Sequence, residues 1–226
     1  MVFGVQACIF VMLYPYFQAV LGWSGLLSTA GLMPMALLMM VASGISPRLT
    51  ERLGARATML IGIALAGGGL TLLAVLVSVD GGYLSVLPGM ITMGLGMGIA
   101  MTPSTEVITS SLPREQQGVA SALNDVTREF GTALGVALLG ALLTAGYRSA
   151  IEPALYGVPA ATAAAAREGI ANALHDAHAT PALVNAAKQS FVEGWQTSMW
   201  AGVILMAALA LFTALRGPKR PASDDL

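Results

Sequence analysis

Apolar positions run in long unbroken blocks along this chain, and charged positions fall between them. The first 47 residues contain no Asp, Glu, Lys or Arg, and residues 57–79, 81–105 and 194–215 are likewise uncharged. A helix crossing the hydrocarbon core of a bilayer needs about 20 mainly apolar residues. Each block meets that length, and the first meets it twice. Within lipid every backbone amide must find its partner inside the segment, so runs of this length predict helices rather than strands. The pattern predicts an all-α polytopic membrane protein, a six-helix transmembrane bundle with spans at about 2–21, 25–46, 57–79, 83–107, 118–145 and 192–215. A glycine-bearing turn at 22–24 separates the first two spans, and "DGG" at 80–82 stops the third. One domain covers 1–226, with an outer loop at 146–191 and a tail at 216–226.

Composition agrees with the pattern. Only 10% of residues are charged and 56% are hydrophobic, whereas a soluble domain carries about 25% charged residues. The lipid bilayer is therefore the first expected partner. A net charge of −1 steers nothing towards nucleic acid, and no nucleic-acid partner is expected. The single cysteine, Cys8, rules out a disulfide within the chain and reads as a small buried hydrophobe. No cleaved signal peptide is expected, since no basic stretch opens the chain and the apolar run is too long.

Basic residues orient the spans, because short cytoplasmic loops are enriched in Lys and Arg. Arg48, Arg52, Arg56, Arg114, Arg216, Lys219 and Arg220 fall on one side, against Arg148, Arg167 and Lys188 on the other. Both termini are thus expected in the cytoplasm, in a multi-pass protein of the cell membrane. The segment 146–191 is alanine-rich and polar, and one short surface helix is expected there. His175 and His178 form an H-x-x-H without neighbouring carboxylate ligands. They read as solvated loop residues, and no metal or other cofactor is expected.

Glycines lie inside the spans. Gly131-x-x-x-Gly135 has the spacing that lets two membrane helices approach closely. The "GLGMG" at 94–98 lies in mid-span, without the strand and helix start that a phosphate loop requires. Pro34, Pro88 and Pro103 interrupt spans. They read either as hinges that line a cavity or as simple kinks. Met residues, with Phe10, Tyr14, Tyr16, Phe17 and Trp23, form either a pliable cavity wall or ordinary packing and interface anchors.

The fifth span carries charge: "SALNDVTREFGTALGVALLGALL" runs from residue 121 to 143. Asp125 and Glu129 are four apart and share a helix face, and Arg128 is within reach of Asp125. If the helix enters hydrocarbon near Val119, Asp125 lies ~9 Å deep and Glu129 ~15 Å deep. A charge facing lipid at that depth costs about 2.5–3.5 kcal/mol on insertion scales, so the cluster must face the bundle interior or a wet cavity. Two readings stand. Asp125 and Arg128 form a structural ion pair with Glu129 as an anchor, or a buried carboxylate takes and releases a proton. Asn124 adds a neutral donor and acceptor beside the cluster, and Glu106 at the end of the fourth span is a further candidate. An intramembrane enzyme is not expected. Neither His lies in a span, and no second helix offers a carboxylate partner at matching depth.

The stretch "TPSTEVITSSLPREQQGVASALNDVTREFGTALGVALLG" at 102–140 resembles the penultimate spans of drug:proton antiporters, in the fourteen-span branch of the major facilitator superfamily. "SPRLTERLGAR" at 46–56 resembles the superfamily's short basic loop motif, with Glu51, Arg52, Gly54 and Arg56 filling it and Arg48 beside it. The resemblance implies that this loop steadies one alternating-access state through charge contacts. It implies that the chain corresponds to a C-terminal half, with an N-terminal half-transporter as partner in the same longer chain or a second subunit. It also implies proton-coupled efflux of lipophilic or cationic small molecules. The alternative is a membrane fragment that transports nothing and serves a structural role.

Overall fold

The computed structural model describes residues 4–105 and 116–216 in full, with the backbone alone at 2–3 and 106–109. Every regular element among them is helical. The helices are α1 (Val2–Pro15), α2 (Gly25–Gly31), α3 (Met33–Leu53), α4 (Ala55–Leu76), α5 (Gly82–Thr109), α6 (Gln117–Ile151), α7 (Ala160–Glu168), α8 (Ile170–His175) and α9 (Pro181–Arg216). Five helical stretches are long and apolar enough to cross a membrane: Gly25–Leu53, Ala55–Leu76, Gly82–Thr105, Gln117–Leu155 and Pro181–Arg216. The apolar helix Gly4–Val20 is shorter.

Neighbours in the bundle follow an arc. α3 packs on α5, α5 on α4, α4 on α9, α9 on α6, and α6 on α1. Small residues make the seams, as expected where dispersion between backbones must hold helices together in lipid. On α4, Gly62 and Gly69 face Gly96, Ala100 and Met93 of α5, and a Cβ at Gly69 would stand 2.7 Å from the Met93 amide nitrogen. The other face of α5 turns Gly94 and Gly98 to Met35, Met39 and Ala42 of α3. The mid-span "GLGMG" therefore serves two helix neighbours at once. Gly146 meets Gly194 where α6 crosses α9.

α4 stops at Leu76, and side chains from two other elements bond carbonyls in its last turn and just beyond it. Trp195 Nε1 donates to Leu73 O at 3.1 Å and Tyr16 Oη to Ser78 O at 2.9 Å. Tyr16, Phe17 and Trp195 are fully buried, and Phe17 stacks on Trp23, which lies against Tyr83. These aromatics therefore pack the core at the end of the bundle that carries 77–81.

The structure differs from the sequence reading at three places. The basic segment 47–56 is not an open loop: α3 runs through Pro47, Arg48, Glu51 and Arg52 to Leu53, and Gly54 alone makes the turn. Gly54 has φ 86°, a conformation that L side chains rarely adopt, and its N–H closes α3 on Thr50 O at 2.8 Å. The segment 146–191 is not one long loop either. α6 continues to Ile151, a 3₁₀ turn follows at Glu152–Leu155, and two short helices follow that. Thr180 Oγ1 caps α9 by accepting from Leu183 N at 3.2 Å, and Pro181 opens its first turn. Leu155, Ala163, Ala166, Ile170 and Ala173 join the same core as Trp195, so the segment caps the bundle. Third, α1 ends in a π-helical turn at Tyr16–Val20, directly after Pro15, with Leu21 N reaching Tyr16 O at 3.1 Å.

Candidate functional site

The charged cluster stands on the first half of α6. Arg128 Nη2 lies 3.8 Å from Asp125 Oδ1, and their side chains are 44% and 61% exposed. Glu129 is exposed one turn beyond Asp125, and Asn124 is half-buried. Glu106 belongs to α5 by its backbone, but its side chain lies outside the described residues, as does Arg114.

At 3.6 residues per turn the N-terminal half of α6 divides into three stripes. Asn124, Arg128, Gly131 and Gly135 share one. Its C-terminal part packs on α1, where Gly131 and Gly135 are buried and Gly4 approaches the backbone of both. Val119, Leu123, Val126 and Phe130 form a second, apolar stripe, and all four are at least half exposed. Ser121, Asp125 and Glu129 form the third, also exposed. Charge and grease thus occupy different faces of the same uncovered helix.

The proline positions resolve differently. Pro34 sits in the first turn of α3, just after the break at Leu32, and Tyr83 Oη donates to Gly31 O at 2.8 Å across that break. Pro103 lies inside α5 and removes the N–H that Ile99 O would accept. The buried Ser46 of α3 donates its hydroxyl to that same Ile99 O at 2.8 Å. Ser46→Ala is therefore expected to strand a buried carbonyl and cost about 1–3 kcal/mol. Placing it in a Pro103→Ala background, which returns the N–H, should remove most of that cost. Thermal unfolding of the two single variants and the double variant checks the coupling.

Arg48 and Glu51 are exposed near the end of α3, and Arg56 is half-buried in the first turn of α4. Gly54 alone joins α3 to α4 between them. At the opposite end, His175 and His178 are exposed, and His178 Nδ1 is 3.4 Å from Asp176 Oδ1. The backbone N–H of His178, donating to Asp176 at 2.8 Å, is the chief cause that holds this carboxyl below the usual carboxylate range. Among the described residues no three His, Cys, Asp or Glu gather as a metal site.

Residues 1–136 match the family model described as Major Facilitator Superfamily. The chain belongs to the major facilitator superfamily. Over 204 residues it is 31% identical to the multidrug efflux pump LfrA of Mycolicibacterium smegmatis, covering 87% of this chain and 40% of that protein. It is 35% identical to the multidrug resistance protein B homolog of Mycobacterium tuberculosis over 136 residues, 60% of this chain and 25% of that protein. It is 28% identical to the tetracenomycin C resistance and export protein of Streptomyces glaucescens over 225 residues, 93% of this chain and 41% of that protein. The chain thus spans less than half the length of these curated relatives. They are transporters of the superfamily and not enzymes. Family and apolar helices together make this a multi-pass membrane protein.

The structure brings Asp125, Arg128 and Glu129 onto one uncovered stretch and places Gly131 and Gly135 at the α1 seam. Two features escaped the sequence reading. The Ser46 bond to the carbonyl that Pro103 frees needs knowledge of which helices touch. The cap at 155–173 buries Ala163, Ala166 and Ala173, which stand out little from their polar, alanine-rich surroundings.

Proposed function

We propose that this chain is the C-terminal six-helix unit of a proton-coupled exporter of lipophilic or cationic small molecules. In this reading both termini lie in the cytoplasm and the protein sits in the cell membrane. The observation that carries the reading is the division of α6. An apolar stripe at Val119, Leu123, Val126 and Phe130 suits lipid, while Asp125 and Glu129 on a separate exposed stripe do not. A charged stripe at that depth calls for a hydrated cavity. Such a cavity forms between this unit and a second six-helix unit, with substrate near the midplane.

Asp125 and Arg128 neutralise one another, and Glu129 is the acid left to exchange a proton. Protonation from outside and release to the cytoplasm then alternate with substrate movement outward. Arg48, Glu51, Arg52, Gly54 and Arg56 act as the gating element at the cytoplasmic end, where Gly54 alone separates α3 from α4. The relatives named above as efflux, resistance and export proteins support drug export. The test is substrate flux in liposomes with the transporter at family length. Flux that follows an imposed proton gradient and collapses with a protonophore supports coupling. Flux indifferent to both would remove it.

A further inference from the structure

Two cavities lie under α8, at the end of the bundle opposite the Gly54 turn, and both are lined by Pro15, Ile170 and Ala171. One has a volume of 320 Å³ and takes polar groups from Gln18 and His175. The other, of 220 Å³, is lined by Leu143, Tyr147 and Phe191 and by the exposed Glu168. Tyr147 and Phe191 are buried, so this lining is fixed by the core. Ile170, which lines both, is 6% exposed.

The surroundings hold this geometry in place. Tyr147 Oη donates to Ala166 O at 2.7 Å, tying α7 to α6. Arg167 binds Glu152 at two points, 2.9 and 2.7 Å, so the cation next in sequence to Glu168 is already engaged. Glu168 itself accepts one bond, from Asn172 Nδ2 at 3.1 Å. An apolar and aromatic lining that includes one acidic residue matches a molecule with a hydrophobic body and one positive head.

We propose that these chambers form a binding site for an amphipathic monocation at the outer face, with Glu168 as its counter-charge. The site lies about 27 Å along α6 from the Asp125–Glu129 stripe, so it is separate from the proposed coupling site. In the export reading it offers a station on the exit side, but its occupancy does not depend on transport.

The test measures equilibrium binding to the full chain in lipid nanodiscs, by ligand-detected saturation-transfer NMR. The ligands are phenyltrimethylammonium and its uncharged shape match, tert-butylbenzene. The cation should bind at least about fivefold more tightly than the neutral compound, as one screened charge contact allows. Glu168→Gln should erase that preference while leaving the unfolding temperature unchanged, since the residue is exposed. Ala171→Trp, also at an exposed position, should block both ligands. Glu129→Gln should leave binding intact, so that failure of the transport reading and failure of this site register separately. Equal affinity of the native chain for the two ligands, or a cation preference that survives Glu168→Gln, overturns the proposal.

Discussion

Replacing Gly135 by leucine is expected to unseat α1 from α6 and to destabilise the bundle more than Ser46→Ala does. A Cβ at Gly135 would run into the backbone of Gly4, and one at Gly4 would meet the backbone of Gly131. No flexible side-chain end stands in the way that could swing aside. The helices themselves must part, and α1 carries Val5, Cys8, Ile9, Met12 and Leu13 into the core with it. Overpacking of a tight core costs about 1–3 kcal/mol and occasionally more. A backbone-to-backbone contact that cannot relax locally belongs at the upper end. Gly140→Leu is the control, because nothing lies within 4 Å of a Cβ there. Thermal unfolding in detergent should separate the two glycine variants clearly. Equal stability would mean that α1 and α6 do not meet through these glycines.

The second large effect concerns chemistry. In the transporter at family length, Glu129→Gln should lower proton-driven flux about a hundredfold, the low end of what a positioned proton-transfer group contributes. Gln keeps the size and the hydrogen-bonding capacity but carries no exchangeable acidic proton. Exchange of labelled for unlabelled substrate without a gradient should survive, which separates lost coupling from lost binding. Asp125→Asn should act differently. It removes one partner of Arg128, 3.8 Å away, and leaves the acid at Glu129 in place. Flux should then fall less than in Glu129→Gln, because the coupling acid itself is kept. A double variant that falls no further than Glu129→Gln alone would place Asp125 in the same step. Flux unchanged in both single variants would end the coupling role.

Much of this was legible in the residues, for a physical reason. Lipid removes the alternatives that water offers a backbone, so the uncharged runs at 57–79 and 81–105 could only be long helices. The Gly131-x-x-x-Gly135 spacing and the i, i+4 placement of Asp125 and Glu129 are properties of one helix and need no tertiary knowledge. What escaped depended on contact or on charge taken as a boundary. Arg48 and Arg52 suggested that the second span ended before them, yet charged side chains continue a helix readily once it leaves hydrocarbon, and only Gly54 stops this one. Likewise the polar, alanine-rich stretch read as an outer loop with one short surface helix rather than a packed cap, because alanine gives little amphipathic contrast. Burial of Ala163, Ala166 and Ala173 shows that small side chains suffice where α7 and α8 lie flat on the bundle. The bond from Ser46 to Ile99 O joins residues 53 apart in sequence, and no local pattern announces it.

The central claim is that the Asp125–Glu129 stripe of α6 faces water inside the membrane while the Val126–Phe130 stripe faces lipid. Single cysteines at 125, 126, 129 and 130, in a Cys8→Ala background in native membranes, test it with a charged, membrane-impermeant thiol reagent. Modification at 125 and 129, with 126 and 130 left inert, is the predicted result. Equal modification at all four positions, or none at 125 and 129, contradicts it.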